Sequence, residues 1–220
     1  MTRTRARAVL HLSFCLLLLS ISGCAALGLV AQAIPITVHA RYAGLQGQTV
    51  GVLVWADRGI LIDWDPIRLD LANAIQARLE ERYKAEEMKG TSFPWKPASL
   101  VRYVRDHPGT ETVPITQVAP SFQVTRLIYV EVQQFRTRAE RSLELYRGEA
   151  TVTLKIIEIG ADGSSKVAYN EDNLKATFPK TAPQDGEPGL GDYKTYYGTI
   201  AMLADTIADR LTTHEEEREH

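Results

Sequence analysis

Apolar positions recur along this chain in three ways. A nearly continuous apolar run covers residues 8–22, broken by His11. Period-two alternation marks residues 48–56, 125–136 and 148–159, which is the spacing of a strand. A recurrence every three to four residues marks 65–84 and 193–213, which is the spacing of a helix with one buried face.

The first strand carries Val50, Val52 and Val54 on one face and Leu53 and Trp55 on the other. With both faces apolar, it is expected at the centre of a sheet. Asp57-Arg58-Gly59 is expected to turn the chain. Asp65 can then cap a helix at its open N–H groups, and Pro66 suits the first helical position. Ile67, Leu71, Ile75 and Leu79 form the stripe of that helix. Pro97 is expected to open a short helix through Leu100 and Val104, and a second follows Pro114.

In the two later strands Ile128, Val130 and Val132, and then Ala150, Val152, Leu154 and Ile156, share one face. Thr151, Thr153 and Lys155 lie on the opposite one, so that face is expected to be solvated. Gly160-Ala161-Asp162-Gly163 turns the chain into a third strand with Val167 and Tyr169. Tyr196, Ile200, Leu203, Ile207 and Leu211 stripe the last helix. The pattern predicts one two-layer α+β domain: a mixed sheet with an antiparallel three-strand meander, and helices packed on one face.

Apolar residues make up 45% of the 220, and the formal net charge is −2. A balance this close to neutral exerts no general pull on nucleic acid, and no nucleic-acid partner is expected.

Ahead of the apolar run come Arg3, Arg5 and Arg7, and at its end stands Ile21-Ser22-Gly23-Cys24. Basic start, apolar middle and small residues before a boundary make a secretory signal. The last four residues resemble the lipobox of bacterial lipoproteins. That resemblance implies cleavage before Cys24, acylation of its thiol and acylation of the new amino terminus. Cys15 would leave with the signal, so the mature chain has no cysteine pair for a disulfide. Several acyl chains give lasting attachment, since each buried CH₂ contributes about 0.8 kcal/mol. In lipoproteins of the enterobacterial type an Asp after the cysteine favours the inner membrane. Ala25 and Ala26 stand here, so an outer-membrane anchor facing the periplasm is expected. The expected organisation is signal peptide 1–23, tether 24–47, α+β domain 48–213 and polar tail 214–220.

Three features together resemble a group of envelope lipoproteins. They are the lipobox at Cys24, the strand Thr49-Val50-Gly51-Val52-Leu53-Val54-Trp55 with the long helix after it, and the hairpin with Gly148-Glu149-Ala150-Thr151-Val152-Thr153-Leu154 before a C-terminal helix. The layout of residues 45–213 is similar to the fold shared by the curli-secretion lipoprotein, the lipoprotein activators of penicillin-binding proteins and the N-terminal domain of the Tol–Pal β-propeller protein. It is similar as well to the lipopolysaccharide-assembly lipoprotein. The resemblance implies a non-enzymatic binding or assembly component with no cofactor. It also implies an envelope protein as partner, besides the membrane held through Cys24. The curli-type pore requires extra long amphipathic hairpins, which do not appear in this sequence, so a pore is not expected.

Candidate chemistry is sparse. Asp57, Asp63 and Asp65 could bind a divalent cation, but capping and solvation of the turn account for them more simply. His39, His107 and His214 stand apart in sequence, without the grouped ligands of a zinc site. There is no Gly-x-Ser-x-Gly elbow. Gly186, Gly189 and Gly191 fall in a Pro-containing loop, not between a strand and a helix, so they form no phosphate cradle. Arg126, Arg136, Arg138, Arg141 and Arg147 concentrate on the β-hairpin. Of these, Arg136, Arg138 and Arg141 are the candidate patch for an anionic partner, with interspersed glutamates as the competing explanation. Trp95 and Tyr196-Tyr197 are candidate contact aromatics, Tyr197 being the one off the helix stripe. The leading expectation is a lipid-anchored, non-catalytic envelope component binding through an exposed sheet face. The alternatives are a lipopolysaccharide-assembly type that holds a lipid or β-barrel, and an enzyme of unrecognised class.

Overall fold

The computed structural model describes residues 35–181 and 183–216. The expected signal peptide, Cys24 and the first part of the expected tether lie outside these residues. The described chain forms two units. One contains the two-stranded ribbon of β1 (Ile36–Val38) and β7 (His214–Glu216), paired antiparallel. The other, His39–Thr213, is the α+β domain.

The domain is a mixed sheet with helices packed on it. In chain order it comprises β2 (Val50–Ala56), α1 (Arg58–Asp63), α2 (Ile67–Glu81), α3 (Pro97–Asp106), α4 (Ile115–Val118), β3 (Arg126–Arg138), β4 (Leu145–Ile159), β5 (Ser165–Phe178), β6 (Glu187–Pro188) and α5 (Asp192–Leu211). Short 3₁₀ turns stand at Glu86–Met88, Pro108–Thr112 and Ala119–Phe122. The strands run in the order β2-β3-β4-β5, with β6 paired to β4. β2 and β3 are parallel, and β3, β4 and β5 form the antiparallel meander.

The helix stripes go where their periodicity points. Ile67, Leu71, Ile75 and Leu79 of α2 are fully buried, as are Leu203, Ile207 and Leu211 of α5. They pack with Val52, Val54, Ile128, Val130, Val152, Leu154 and Ile156 in the larger core. Burial of each large side chain contributes about 1.5–3 kcal/mol. Two ion pairs bridge the helices on their outer side: Arg78 Nε to Asp205 Oδ1 at 2.6 Å and Arg82 Nη1 to Asp209 Oδ1 at 2.7 Å.

The structure corrects several expectations. β2 is an outer strand, not a central one. Its two apolar faces report covering by helices on both sides, which is independent of how many strands flank it. The chain at Ser92 partly closes its free edge, with Val50 N–H donating to Ser92 O at 2.8 Å. The sheet face opposite α2 and α5 is therefore only partly open. α3, α4 and the 3₁₀ turn at Ala119–Phe122 build a second core there from Leu53, Leu100, Val118, Phe122, Leu127, Tyr129 and Ile157.

At residues 57–65 the chain forms a short helix where a turn was expected. Asp57 caps it, accepting from Ile60 N–H at 2.9 Å. Asp65 caps nothing, since α2 begins after Pro66 without a side-chain cap.

The expected tether is folded in its last part. Tyr42 and Leu45 are buried in the larger core, and Arg41 N–H donates to Arg210 O at 2.8 Å. Residues 214–216 of the expected polar tail are β7.

Candidate functional site

The second core does not fill the space beneath the short helices. A cavity of about 520 Å³ remains between the sheet and the segment 101–118. Its floor follows from strand register. Leu53 pairs with Tyr129, and Tyr129 with Lys155; one step on, Trp55 pairs with Glu131, and Glu131 with Thr153. Alternate residues of neighbouring strands share a face, so these side chains stand together on the side away from α2 and α5. Val101 and Val104 of α3 and Ile115 and Val118 of α4 supply apolar walls. Next to Leu53 along β2, Leu100 packs tightly on the strand: a methyl added at Gly51 would lie 3.2 Å from Leu100 Cδ1.

Polar groups gather at the mouth in two opposite-charge pairs. Arg68 Nη1 lies 3.1 Å from Glu111 Oε1, while its Nη2 donates to Ala56 O at 2.8 Å. Lys155 Nζ lies 3.0 Å from Glu131 Oε1 and 6.0 Å from the Tyr129 ring centroid. Burial raises the Tyr129 hydroxyl well above its ordinary pKa, and the neighbouring Glu131 charge adds to this, so the phenol stays protonated. Beyond the mouth the sheet face is polar. Gln133 Nε2 donates to Thr153 Oγ1 at 2.8 Å, and Thr153 Oγ1 donates to Asp172 Oδ1 at 3.0 Å.

No family model matches this chain, and no curated protein is similar to it.

The residues singled out from sequence fall mostly elsewhere. The arginines of the hairpin lie beside carboxylates. Arg136 Nε donates to Glu149 Oε2 at 3.1 Å, Arg147 Nε lies 2.6 Å from Glu149 Oε1, and Arg138 Nη2 lies 2.6 Å from Asp192 Oδ2. The Arg138 and Thr137 hydrogen bonds hold the Asp192 carboxyl below its ordinary pKa. Arg141 sits in the exposed hairpin loop with φ +63°. Among the described residues no three of His, Cys, Asp or Glu are grouped to hold a metal, so Asp57, Asp63 and Asp65 form no such set. His107 stacks on Tyr103 at 4.2 Å. Gly186, Gly189 and Gly191 all have positive φ and shape the loop ahead of α5. Tyr196 is buried against Trp64 and Phe135, while Tyr197 is 44% exposed and Trp95 38%.

Sequence reasoning missed Arg68, Glu111, Tyr129, Glu131 and Lys155 as a set. Their one visible signal was Leu53 and Trp55, apolar side chains on a strand face that something had to cover.

Proposed function

We propose that this chain is a lipid-anchored, non-catalytic binding component of a bacterial cell envelope. It is held by acyl chains on Cys24 and faces the periplasm from the outer membrane. The observation that carries the reading is the order Arg3, Arg5, Arg7, apolar run, Ile21-Ser22-Gly23-Cys24. Among the described residues no helix is long and apolar enough to cross a membrane, so attachment in this reading rests on Cys24. The polar groups at the cavity mouth support a binding role: they are partnered in opposite-charge pairs beside an apolar cavity.

Growth of a producing bacterium with an alkyne fatty acid tests the anchor. The expected result is label on the wild-type chain and none on Cys24→Ala. Label that survives the substitution, or no label on either chain, rejects it.

The cavity favours a second reading, in which the bound component is a lipid rather than a protein. A photo-crosslinker at Val167, on the cavity rim, separates the two by the mass of what it captures.

A further inference from the structure

The cavity and the open sheet face form one surface that changes character along its length. Beneath α3 and α4 the surroundings are Leu53, Val101, Val104 and Val118. One register step outward stand Trp55 and Glu131, with Lys155 reaching Glu131 from the Leu53–Tyr129 row and Arg68 and Glu111 beside them. The volume of about 520 Å³ falls within the range of small-ligand pockets. A ligand fitting this surface is apolar at one end and polar at the other.

The charges at the mouth narrow the polar end. Two cations and two carboxylates sum to zero, and each cation lies close to one carboxylate. A purely anionic head would face Glu111 and Glu131 as closely as Arg68 and Lys155. A purely cationic head would meet the reverse. A head carrying both charges can align with both pairs, its anion toward Lys155 and Arg68 and its cation toward Glu131. Trp55 in the same row offers the best aromatic face for an ammonium group.

We propose that this cleft binds a single-chain zwitterionic amphiphile of the phosphocholine or phosphoethanolamine type. The tail lies beneath α3 and α4, and the head lies at Trp55, Glu131 and Lys155. The proposal deepens the binding role above and rests on it for the source of the ligand, while the cavity itself does not depend on the anchor.

The test uses the mature chain, residues 24–220 with Cys24→Ser, so that neither the apolar signal run nor an attached acyl group competes. Lauroyl-lysophosphatidylcholine is titrated below its micelle-forming concentration and binding is followed by tryptophan fluorescence. Saturable binding is expected, with an emission change that Trp55→Phe removes. Lauroyl-lysophosphatidylglycerol keeps the tail and phosphate but lacks the ammonium. It is expected to bind about tenfold more weakly, roughly the size of one ammonium contact. Val104→Trp fills the cavity and is expected to abolish binding.

Val113 is 41% exposed at the rim, so Val113→Glu tests the same entrance without touching the core should Val104→Trp fail to fold. Circular dichroism reports the folding of each variant. Equal affinity for the two lipids, or binding unchanged in the folded cavity and rim variants, overturns the proposal. Fatty-acid labelling at Cys24 is scored separately. Labelled chain without lysolipid binding rejects the cleft alone, and binding without label rejects the anchor alone.

Discussion

Gly148 and Thr199 touch with no room between them: a Cβ on Gly148 would lie 1.8 Å from Thr199 Oγ1. Thr199 is fully buried, and its hydroxyl already donates to Thr195 O at 2.7 Å. The glycine is what lets α5 lie directly on β4. Gly148→Ala is expected to force the helix outward and to cost about 1–3 kcal/mol, the usual penalty for overpacking. Urea unfolding measures it. A midpoint equal to that of the wild type would show that the helix seats without that contact.

Glu171 joins three segments. It accepts from Arg210 Nε at 3.1 Å, from Arg41 Nη1 at 3.2 Å and from the Tyr169 hydroxyl. Burial pushes its carboxyl upward, but the bonds from Tyr169 and Arg210 outweigh it, so its pKa is lowered. The same environment pushes Tyr169 up to about 12, chiefly through burial. For a carboxylate with a lowered folded value, the stabilisation is complete above the unfolded value of about 4.3 and is lost as pH falls through the folded value. Glu171→Gln is expected to cost about 1–3 kcal/mol at neutral pH. It should also flatten the loss of stability below about pH 4.3. Parallel stability–pH curves for the two proteins would contradict this.

Tyr196 donates to Asp70 Oδ2 at 3.1 Å across the α2–α5 contact. Its ring lies 5.3 Å from Trp64 and 5.4 Å from Phe135. Burial, followed by the Asp70 charge, holds its hydroxyl above the ordinary tyrosine value. Tyr196→Phe keeps the ring contacts and removes one hydrogen bond to a charged group, for an expected loss of about 1.5–3 kcal/mol. Near-ultraviolet circular dichroism should retain the signal of the packed rings. Loss of that signal would mean that the hydroxyl also positions them.

The hairpin arginines make a further prediction. Arg136 and Arg138 face Glu149 and Asp192, which leaves little net field for an anionic partner. In the mature chain, residues 24–220 with Cys24→Ser, replacing Arg136, Arg138 and Arg141 together by Glu is expected to leave sedimentation with phosphatidylglycerol vesicles unchanged. A clear drop in bound protein would restore the patch.

The two long helices were legible because each stripe repeats often enough to define one face: Ile67 to Leu79 in α2 and Tyr196 to Leu211 in α5. The meander was legible because Ala150, Val152, Leu154 and Ile156 alternate with polar neighbours. The position of β2 was not. Val50, Leu53 and Val54 record only that both faces are covered, and covering by helices leaves the same trace as a place in the middle of a sheet.

The candidate site was less legible still. Arg68 and Glu111, or Glu131 and Lys155, look like solvated charges when read along the chain. Arg68 and Glu111 meet because β2 and β3 run parallel, which requires a long crossover that also brings α3 and α4 over one end of the sheet, and Glu131 and Lys155 meet diagonally across the antiparallel β3–β4 pairing.

By itself the sequence determined what short-range periodicity and order along the chain can carry: which segments are helix or strand, which face of each is apolar, and the signal-like pattern ending at Cys24. Only the tertiary structure decided which strand is outermost, how far the second face is covered, and that a cavity with paired charges lies beneath α3 and α4. Periodicity specifies the face an element buries, but not the element that meets it, because any apolar partner of suitable shape satisfies the same stripe.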